Sequence, residues 1–425
     1  MPDGDKLDLG DGLSIRTYCA YDDAACRALE RTASQFQGFG GLIKAAIVHH
    51  APFDTKPRQF VSGYLLLVCV DERVTTEHSA GSGGAVCGAI CVGLKDAFVH
   101  GRQRRCGFVF DLRVDERWQR RGIGAALARE AERRSAVRGA EWLYLSVNRD
   151  NAKATGLYSK LGWSAASTRR LLFTPLLLPP RCASADSRAV AAGGGIRRCS
   201  AEEGAALVAR HFAARDLGPS SKEVDAFSKS SLHLGTWVAS DGGGSRAALS
   251  LWHASSLSSF APVRLVLPAA VWRRLLWPLL VAATAVITVG ASAVLVHPNW
   301  LSPAGRHAAF LGLSAVTAAG VLLFKWARSR VAFRARIFAP VYEGNAWQPL
   351  MRALHAHLRA EARARGFALV VVNEDAASPL VECLGKKSGR APTAFLQKWL
   401  PQGYNKHQGE CASLSPDCFF DPRDI

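Results

Sequence analysis

The stretch that most restricts the fold of this chain is VDERWQRRGIGAALA, from Val114 to Ala128. An apolar strand pattern ends at Val114, and a helical pattern starts directly after a turn that contains two glycines. Gly122 and Gly124 allow a ligand to come close to the backbone, and the first N–H groups of a helix have no carbonyl partner within that helix. Two neighbouring arginines add positive charge. The stretch therefore predicts a site for an anion such as a phosphate group.

The region around this stretch alternates strand-like and helix-like patterns from Leu13 to Phe173. It predicts one α/β (α+β) domain over residues 12–175. Prolines and three successive glycines then indicate a linker at 176–196. A second α/β domain is expected at 197–400, followed by a C-terminal tail at 401–425. We expect the first domain to fold and bind its ligand by itself.

The two predicted domains share a repeat. RGAEWLYLSVNRD, from Arg138 to Asp150, is similar to RGFALVVVNED, from Arg365 to Asp375, and each follows a helical pattern rich in Ala and Arg. Duplication of one fold explains this similarity, although chance likeness between two helix–strand–helix units is the alternative. The second copy has VYEGNAWQPL in place of the arginine and glycine pairs. It is therefore predicted to be degenerate and without catalytic activity.

Two motifs connect the first domain with a known family. Gln119, Gly122 and Gly124 fit the pattern [RQ]-x-x-G-x-[GA], and NAKATGLYSKLGW, from Asn151 to Trp163, resembles N-A-x-x-x-x-L-Y-x-K-L-G-F. In both motifs the chain resembles the GCN5-related N-acetyltransferase (GNAT) superfamily. The resemblance implies the GNAT acyl-CoA N-acyltransferase fold, acetyl-CoA as co-substrate and no metal. The residues implied to bind acetyl-CoA are Leu112, Val114, Gln119, Arg120, Arg121, Gly122, Ile123, Gly124, Asn148 and Asn151.

The whole chain also resembles the plant HOOKLESS-type probable N-acetyltransferases. The segments that carry this likeness are SLHLGTWVAS at 231–240, ALSLWHAS at 248–255 and FFDPRDI at 419–425. The chain departs from that family at Tyr158, where Phe is usual, and in two long apolar runs. This likeness implies, as an alternative function, a catalytically weak acetyl-CoA-binding regulator or scaffold.

Tyr158 and Asp111 are the candidate catalytic residues. A phenol with a pKa of about 10 can protonate a leaving thiolate, and the GNAT resemblance implies that role for Tyr158. The alternative is a tyrosine that only packs its helix. Strict alternation along GFVFDLRV puts Asp111 on the face of Val109 and Arg113, opposite Phe110. A carboxylate there is expected to act as a base, to anchor the acceptor amine or to form an ion pair with a neighbouring strand.

Two apolar segments predict a transmembrane hairpin within the second domain. Residues 275–296 and 307–324 are long enough for two spans, and no Asp, Glu, Lys or Arg lies between Arg274 and Arg306. Basic residues flank the outer ends of both segments, so the positive-inside rule predicts a two-span membrane protein with both termini in the cytoplasm. A lipid bilayer is then a partner. Two buried core helices are the alternative.

Charge and cysteine content restrict the remaining classes of function. The net charge is +18, and the 11 cysteines form neither a CxxC pair nor a cluster with histidines at zinc spacing. Together with the apolar segments, the charge argues against a nuclear regulator acting on basic chromatin tails, and no nucleic-acid partner is expected. The leading hypothesis is a membrane-anchored N-acetyltransferase. Its amine acceptor is a small molecule, a protein N-terminus or a lysine, and the sequence does not distinguish these.

Overall fold

The computed structural model of the protein describes residues 6–33, 36–38, 43–74, 83–176, 195–213, 215–254, 258–265, 334–367, 369–384 and 389–400. The chain divides into two compact units. The larger unit comprises residues 1–34, 47–259 and 333–425, and the smaller comprises residues 35–46 and 260–332. The two are described separately below.

Seven helices lie in the described part of the chain, all of them within the segments of the larger unit. They are α1 (Asp23–Ala33), α2 (Ile123–Val137), α3 (Ala152–Lys160), α4 (Ala201–Phe212), α5 (Ser221–Ser228), α6 (Trp347–Ala364) and α7 (Pro379–Leu384).

The strands of the described residues form two sheets. The strands are β1 (Leu7–Gly10), β2 (Leu13–Thr17), β3 (Phe36–Gly38), β4 (Ile43–His49), β5 (Tyr64–Asp71), β6 (Ala85–Val99), β7 (Arg102–Val114), β8 (Trp142–Asn148), β9 (Ser164–Pro175), β10 (Ile196–Arg198), β11 (His233–Ser240), β12 (Arg246–Trp252), β13 (Ser258–Leu265), β14 (Arg334–Glu343), β15 (Leu369–Asp375) and β16 (Gly389–Trp399). The small sheet has the order β13-β4-β3. The mixed α/β content of the prediction is confirmed.

The large sheet shows a symmetric order of strands. Its order is β1-β2-β5-β6-β7-β8-β16-β9-β15-β14-β12-β11-β10. Strand β8 pairs in parallel with β7, and β15 pairs in parallel with β14, so the two copies of the sequence repeat hold corresponding places on either side of the β16–β9 pair. The helices before them, α2 and α6, each stop at a left-handed glycine, Gly139 and Gly366, both with φ of +84°.

The two halves exchange their last strands. Strand β16, from the C-terminal half, lies between β8 and β9 of the first half, and β9 in turn pairs with β15 of the second half. The sequence-based boundary at residues 176–196 therefore separates two segments of chain but not two sheets. Residues 12–175 by themselves lack a strand that their own sheet contains.

The helices cover the large sheet on both faces. On one face of the first half, α1 packs on β6 and β7, and on the other face α2 packs on β5, β6 and β7. In the second half, α6 packs on β11, β12 and β14, while α4 packs on β11 and β14. Ile123 and Leu127 of α2 are completely buried against the sheet. The apolar faces that the sequence pattern predicts for these helices are thus buried.

The predicted membrane spans at 275–296 and 307–324 lie outside the described residues, as do the tail at 401–425 and most of the predicted linker. Among the helices that are described, none combines the length and the hydrophobicity needed to cross a membrane.

Candidate active site

The central feature of the first half is an opening between two parallel strands. β7 and β8 pair over only three residues, from Cys106 opposite Trp142 to Phe108 opposite Tyr144. Beyond that point each strand continues against its outer neighbour: β7 runs along β6 to Val114, and β8 runs along β16 to Asn148. The opening thus has backbone on both sides and lies where the first strand leads into the QRRGIG loop.

Asp111 lies on a β-bulge at this opening. Ala89 of β6 faces Arg113 and Cys91 faces Phe110, so Asp111 and Leu112 together oppose the single residue Ile90. Asp111 has φ of +51°, a left-handed conformation that costs energy for any residue with a Cβ. Bulges of this kind change the direction of side chains and occur often beside active sites.

Because of the bulge, the side chains of β7 do not alternate between the two faces of the sheet as predicted. Strict alternation puts Phe110 and Leu112 on one face, but Phe110 packs with the α1 side of the sheet while Leu112 and Val114 pack with the α2 side. The extra residue shifts the alternation by one position. Asp111 consequently contacts Lys56, which comes from the connection between β4 and β5. Asp111 thus forms an ion pair, one of the three roles predicted for it, and the partner Lys56 comes from a connection and not from a strand.

Charged side chains surround Asp111. Lys56 Nζ lies 3.4 Å from Asp111 Oδ2 and 4.3 Å from the centre of the Phe110 ring. Arg113 Nη2 lies 3.7 Å from Asp111 Oδ1 and 3.9 Å from Glu30 Oε1 of α1. The Asp111 charge raises the pKa of the buried Cys91 thiol, although burial contributes more to that shift. Sequence reasoning did not single out Lys56 or Arg113.

The loop after β7 is held by two side chains, the buried ring of Trp118 and the amide of Gln119. Trp118 is buried, and its indole N–H donates to Asp71 Oδ2 at 3.2 Å. The Gln119 side-chain amide donates to the Val114 carbonyl at 3.2 Å, which closes the loop onto the end of β7. Arg120 and Arg121 are exposed beside it. Gln119 therefore shapes the loop, and the two guanidinium groups supply its positive charge.

The two glycines of the loop leave space at the start of α2. Gly122 has φ of +80° and precedes the first helical residue without a side-chain cap. A Cβ on Gly122 would meet no atom within 4 Å, and one on Gly124 would meet only Leu157 and Val114, at 3.6 and 3.7 Å. No side chain of Gly122 caps this helix start, and the prediction that its backbone N–H groups bind an anion stays a prediction.

Tyr158 lies on the opposite face of the sheet from Asp111. It belongs to α3, is 5% exposed and packs edge to face on Trp163, with ring centres 5.3 Å apart. Burial raises the pKa of the Tyr158 phenol above its usual value; the nearby Arg113 charge lowers that pKa and Glu132 raises it. The phenol therefore stays protonated at neutral pH and can donate a proton.

The two asparagines of the β8–α3 turn bond to backbone. Asn148 Oδ1 accepts from the Asp150 N–H at 3.0 Å, and Asn151 Oδ1 accepts from the Ala154 N–H at 3.1 Å as the N-cap of α3. Both side chains thus fix the turn that precedes Tyr158. Their backbone positions, like those of Leu112, Val114 and Ile123, border the region of the opening.

The corresponding region of the second half has a similar separation of two strands but different contacts beside it. β14 and β15 also separate after a short parallel pairing, from Arg334 opposite Leu369 to Ile337 opposite Val372. At the start of α6, however, Trp347 stacks on Tyr342 with ring centres 4.4 Å apart, and Ser245 Oγ accepts from the Ala346 N–H. These contacts stand at the place in the repeat where the first half has the QRRGIG loop. The degenerate character of the second copy stays a prediction.

Within the described residues, no group of three or more His, Cys, Asp or Glu side chains is placed to hold a metal ion.

Comparison with known proteins finds similarity within the first half. Residues 50–163 match the model of the Acetyltransferase (GNAT) family. The chain is also 39% identical over 62 residues to the [ribosomal protein bS18]-alanine N-acetyltransferases of Escherichia coli K12 and Salmonella typhimurium. This match covers 15% of the chain and 42% of each relative, less than half of their length. The GNAT superfamily inferred from the two motifs is confirmed for this region.

Solved structures extend the likeness of fold to the whole chain. A GCN5-related glucosamine N-acetyltransferase region in a fungal multi-domain GH3 β-N-acetylglucosaminidase has a TM-score of 0.53 and 14% identity, and it covers 91% of this chain and 38% of that one. Saccharomyces cerevisiae N-myristoyltransferase with bound myristoyl-CoA has a TM-score of 0.51 and 10% identity, and it covers 92% of this chain and 84% of that one. At such identities the likeness establishes the GNAT fold alone.

Proposed function

We propose that this protein transfers an acetyl group from acetyl-CoA to an amine, and that the opening between β7 and β8 is its active site. The observation that carries the proposal is one arrangement of three parts. The QRRGIG loop lies at the end of β7, Tyr158 lies on the α2 face of the sheet, and Asp111 lies on the α1 face. An acyl group in the opening then has an acid on one side and a carboxylate on the other.

Each part of this arrangement has a separate task. The backbone at Gly122, Ile123 and Gly124, with Arg120 and Arg121, holds the pyrophosphate of acetyl-CoA, whose thioester supplies the acetyl group. Asp111 attracts the acceptor ammonium and removes a proton from it. Tyr158, whose buried phenol stays protonated at neutral pH, donates a proton to the departing thiolate.

The acceptor is an amine of one of three classes: a small molecule, a protein N-terminus or a lysine side chain. The name of the bS18-alanine N-acetyltransferases supports the second class, because it gives an alanine of a protein as the acceptor and alanine has no side-chain amine. The likeness to HOOKLESS-type proteins, which rests on sequence segments of the second half, supports a catalytically weak acetyl-CoA-binding regulator as the alternative function.

One experiment separates the two functions. The full-length protein is incubated with acetyl-CoA and three amine pools, namely small amines, peptides with free N-termini and peptides with internal lysines. Release of CoA thiol and mass spectra of the pools are then recorded. An enzyme gives a product in at least one pool, whereas a regulator binds acetyl-CoA in calorimetry and modifies none.

Substitution of Asp111 tests its role as the base. Asp111→Asn should flatten the rise of the pH–rate profile toward alkaline pH while acetyl-CoA affinity is retained. Asp54→Asn is the matched control, because Asp54 also forms an ion pair, with Arg58 at 2.6 Å, on the segment that carries Lys56. If both variants follow the wild-type profile, Asp111 only anchors the acceptor or stabilises the fold.

From the sequence alone, we further propose that residues 275–296 and 307–324 anchor the protein in a membrane, with both termini in the cytoplasm. The absence of charged residues between Arg274 and Arg306 and the basic flanks support this proposal. A glycosylation acceptor introduced near Asn299 should be modified in microsomes, while one near Arg198 should not. Extraction of the protein by alkaline carbonate would contradict the proposal.

A further inference from the structure

The side chain of Lys56 occupies the surroundings that an acceptor amine requires. An ammonium group is held well by a carboxylate together with the face of an aromatic ring. Lys56 Nζ has both, with Asp111 Oδ2 at 3.4 Å and the Phe110 ring centre at 4.3 Å. The carboxylate is the one to which the proposed function gives the role of base, and it lies on the bulge at the opening.

The backbone around Lys56 is firmly held, so this contact is prepared by the fold. Lys56 lies between two short 3₁₀ turns, Phe53–Thr55 and Pro57–Gln59. Phe53 and Phe60 on either side are buried, and the Phe53 N–H donates to Asp23 Oδ1 of α1 at 2.7 Å. The Phe60 ring also stacks on Phe110. The two anchored aromatic residues direct the lysine between them toward the bulge.

The lysine is neither sealed in the core nor free in solvent. The side chains of Lys56 and Asp111 are 22% and 16% exposed. Lys95, another lysine near an aromatic ring, is almost completely buried on β6, and its Nζ lies 5.0 Å from the centre of the Tyr144 ring. Lys153 and Lys160 on α3 are exposed. Of these four lysines, Lys56 alone combines partial exposure to solvent with an ion pair to the Asp111 carboxylate.

We propose that Lys56 is an internal acceptor, and that the protein acetylates the Nζ of Lys56 within its own chain. This inference rests on the proposed function, since it uses the same opening, base and acid. The amine nitrogen forms a bond to the thioester carbonyl carbon of acetyl-CoA, and the carbon–sulfur bond breaks. The ammonium loses two protons: one passes through Asp111 to solvent, and the other replaces, through solvent, the proton that Tyr158 gives to the thiolate. The products are Nε-acetyl-Lys56, CoA thiol and one released proton.

Acetylation would change the site itself. An acetylated lysine carries no charge, so its ion pair with Asp111 and its cation–π contact with Phe110 are both lost. Asp111 would then become available to the ammonium of an external acceptor. Each chain accepts one acetyl group at this position, which distinguishes the reaction from turnover of an added amine.

The test follows acetylation of the full-length protein by peptide mass spectrometry after addition of acetyl-CoA. Lys56 should be acetylated at least about tenfold faster than Lys153 and Lys160, because a positioned amine reacts at a high effective concentration. The first-order rate constant should not depend on protein concentration. Tyr158→Phe should slow labelling of Lys56 but not that of the two exposed lysines, which report on non-enzymatic acetylation.

A mixture of variants shows whether the transfer is intramolecular. Lys56→Arg keeps the positive charge but cannot accept an acetyl group, and it is mixed with Tyr158→Phe, which keeps Lys56. The melting temperatures of both variants are recorded first, and Asp54→Asn, which keeps both Lys56 and Tyr158, is the positive control for labelling. Lys56 of the Tyr158→Phe chains should be labelled no faster in the mixture than when that variant is incubated alone. Efficient labelling of those chains would mean transfer between molecules and would overturn the inference.

The outcomes separate this inference from the proposed function. If the wild-type protein acetylates an added amine while Lys56 is labelled no faster than Lys153 and Lys160, only the internal acceptor is overturned. If calorimetry shows no acetyl-CoA binding and no pool is acetylated, the proposed function fails and this inference fails with it.

Discussion

At the scale of single residues, two neighbouring glycines serve different needs. Gly122 requires its left-handed backbone, with φ of +80°, whereas Gly124 lies in the first turn of α2 and has room for a Cβ. Gly122→Ala should lower the free energy of unfolding by about 1 kcal/mol. Gly124→Ala should leave stability and acetyl-CoA binding nearly unchanged, because the motif allows Ala here and its Cβ would have room, whereas Gly124→Trp should abolish binding by filling the space that the pyrophosphate needs. Calorimetry and thermal melts measure these effects, and equal acetyl-CoA affinity for Gly124→Trp and the wild type would contradict the loop assignment.

Tyr158 gives the second prediction at this scale. Tyr158→Phe should lower kcat by about 10- to 10⁴-fold with little change in acetyl-CoA affinity, as loss of a general acid does. Because burial raises the pKa of Tyr158 above its usual value, the phenol stays protonated below about pH 10, and the wild-type rate should not fall for this reason between pH 7 and pH 10. An unchanged kcat in the variant would reduce Tyr158 to its packing contact with Trp163.

At the scale of secondary-structure elements, α6 carries a histidine that should make the fold sensitive to acid. His355 is buried, and burial, with a smaller effect of Arg359, lowers its pKa to about 4. In the unfolded chain a histidine titrates near 6.5, so between pH 6.5 and 4 the unfolded state binds a proton that the folded state does not. Stability should therefore fall by about 2–3 kcal/mol as the pH drops through this window.

Denaturant titrations at pH 7.5, 6.5, 5.5 and 4.5 measure this loss. His355→Leu should remove most of it, while His357→Leu, on the exposed side of the same helix, should not. Burial also lowers the pKa values of His233 and His253, so part of the slope remains in the variant. Asp71, whose pKa Arg73 lowers to about 2, adds its own loss only at lower pH. The same slope in His355→Leu and wild type would contradict the assignment.

Elements of the first half could be predicted because their signals are local. Alternation of apolar residues, the loop glycines and the cap at Asn151 lie within short stretches of sequence. The strands and helices of the first half lie where these patterns predict them. The bulge could not be predicted, since nothing in GFVFDLRV shows that two residues oppose Ile90. Lys56 escaped notice for a similar reason: its partner Asp111 is 55 residues away in the chain.

At the scale of the whole molecule, the exchanged strands were also hidden from the sequence. The repeat predicts two similar halves, but strand patterns do not say whether β16 pairs within its own half or beside β8. In the structure, Lys398 of β16 donates to Glu132 of α2 at 2.8 Å and to the Leu161 carbonyl at 2.6 Å. Glu132 in turn accepts from the Trp163 indole that packs on Tyr158. The C-terminal strand thus supports the candidate active site of the first half.

The interlocked sheet predicts how the protein behaves when the chain is cut between its halves. A specific protease site introduced within residues 177–194 breaks the chain but none of the pairs that β9 forms with β15 and β16. The two pieces should therefore elute together under native conditions and retain acetyl-CoA binding, while a denaturing gel shows complete cleavage.

Residues 1–176 expressed alone lack β16, which leaves the edges of β8 and β9 unpaired, and should aggregate or fail to bind acetyl-CoA. Co-expression with residues 195–425 should restore binding. Separation of the cut pieces on a native column, or full binding by residues 1–176 alone, would show that the halves fold independently.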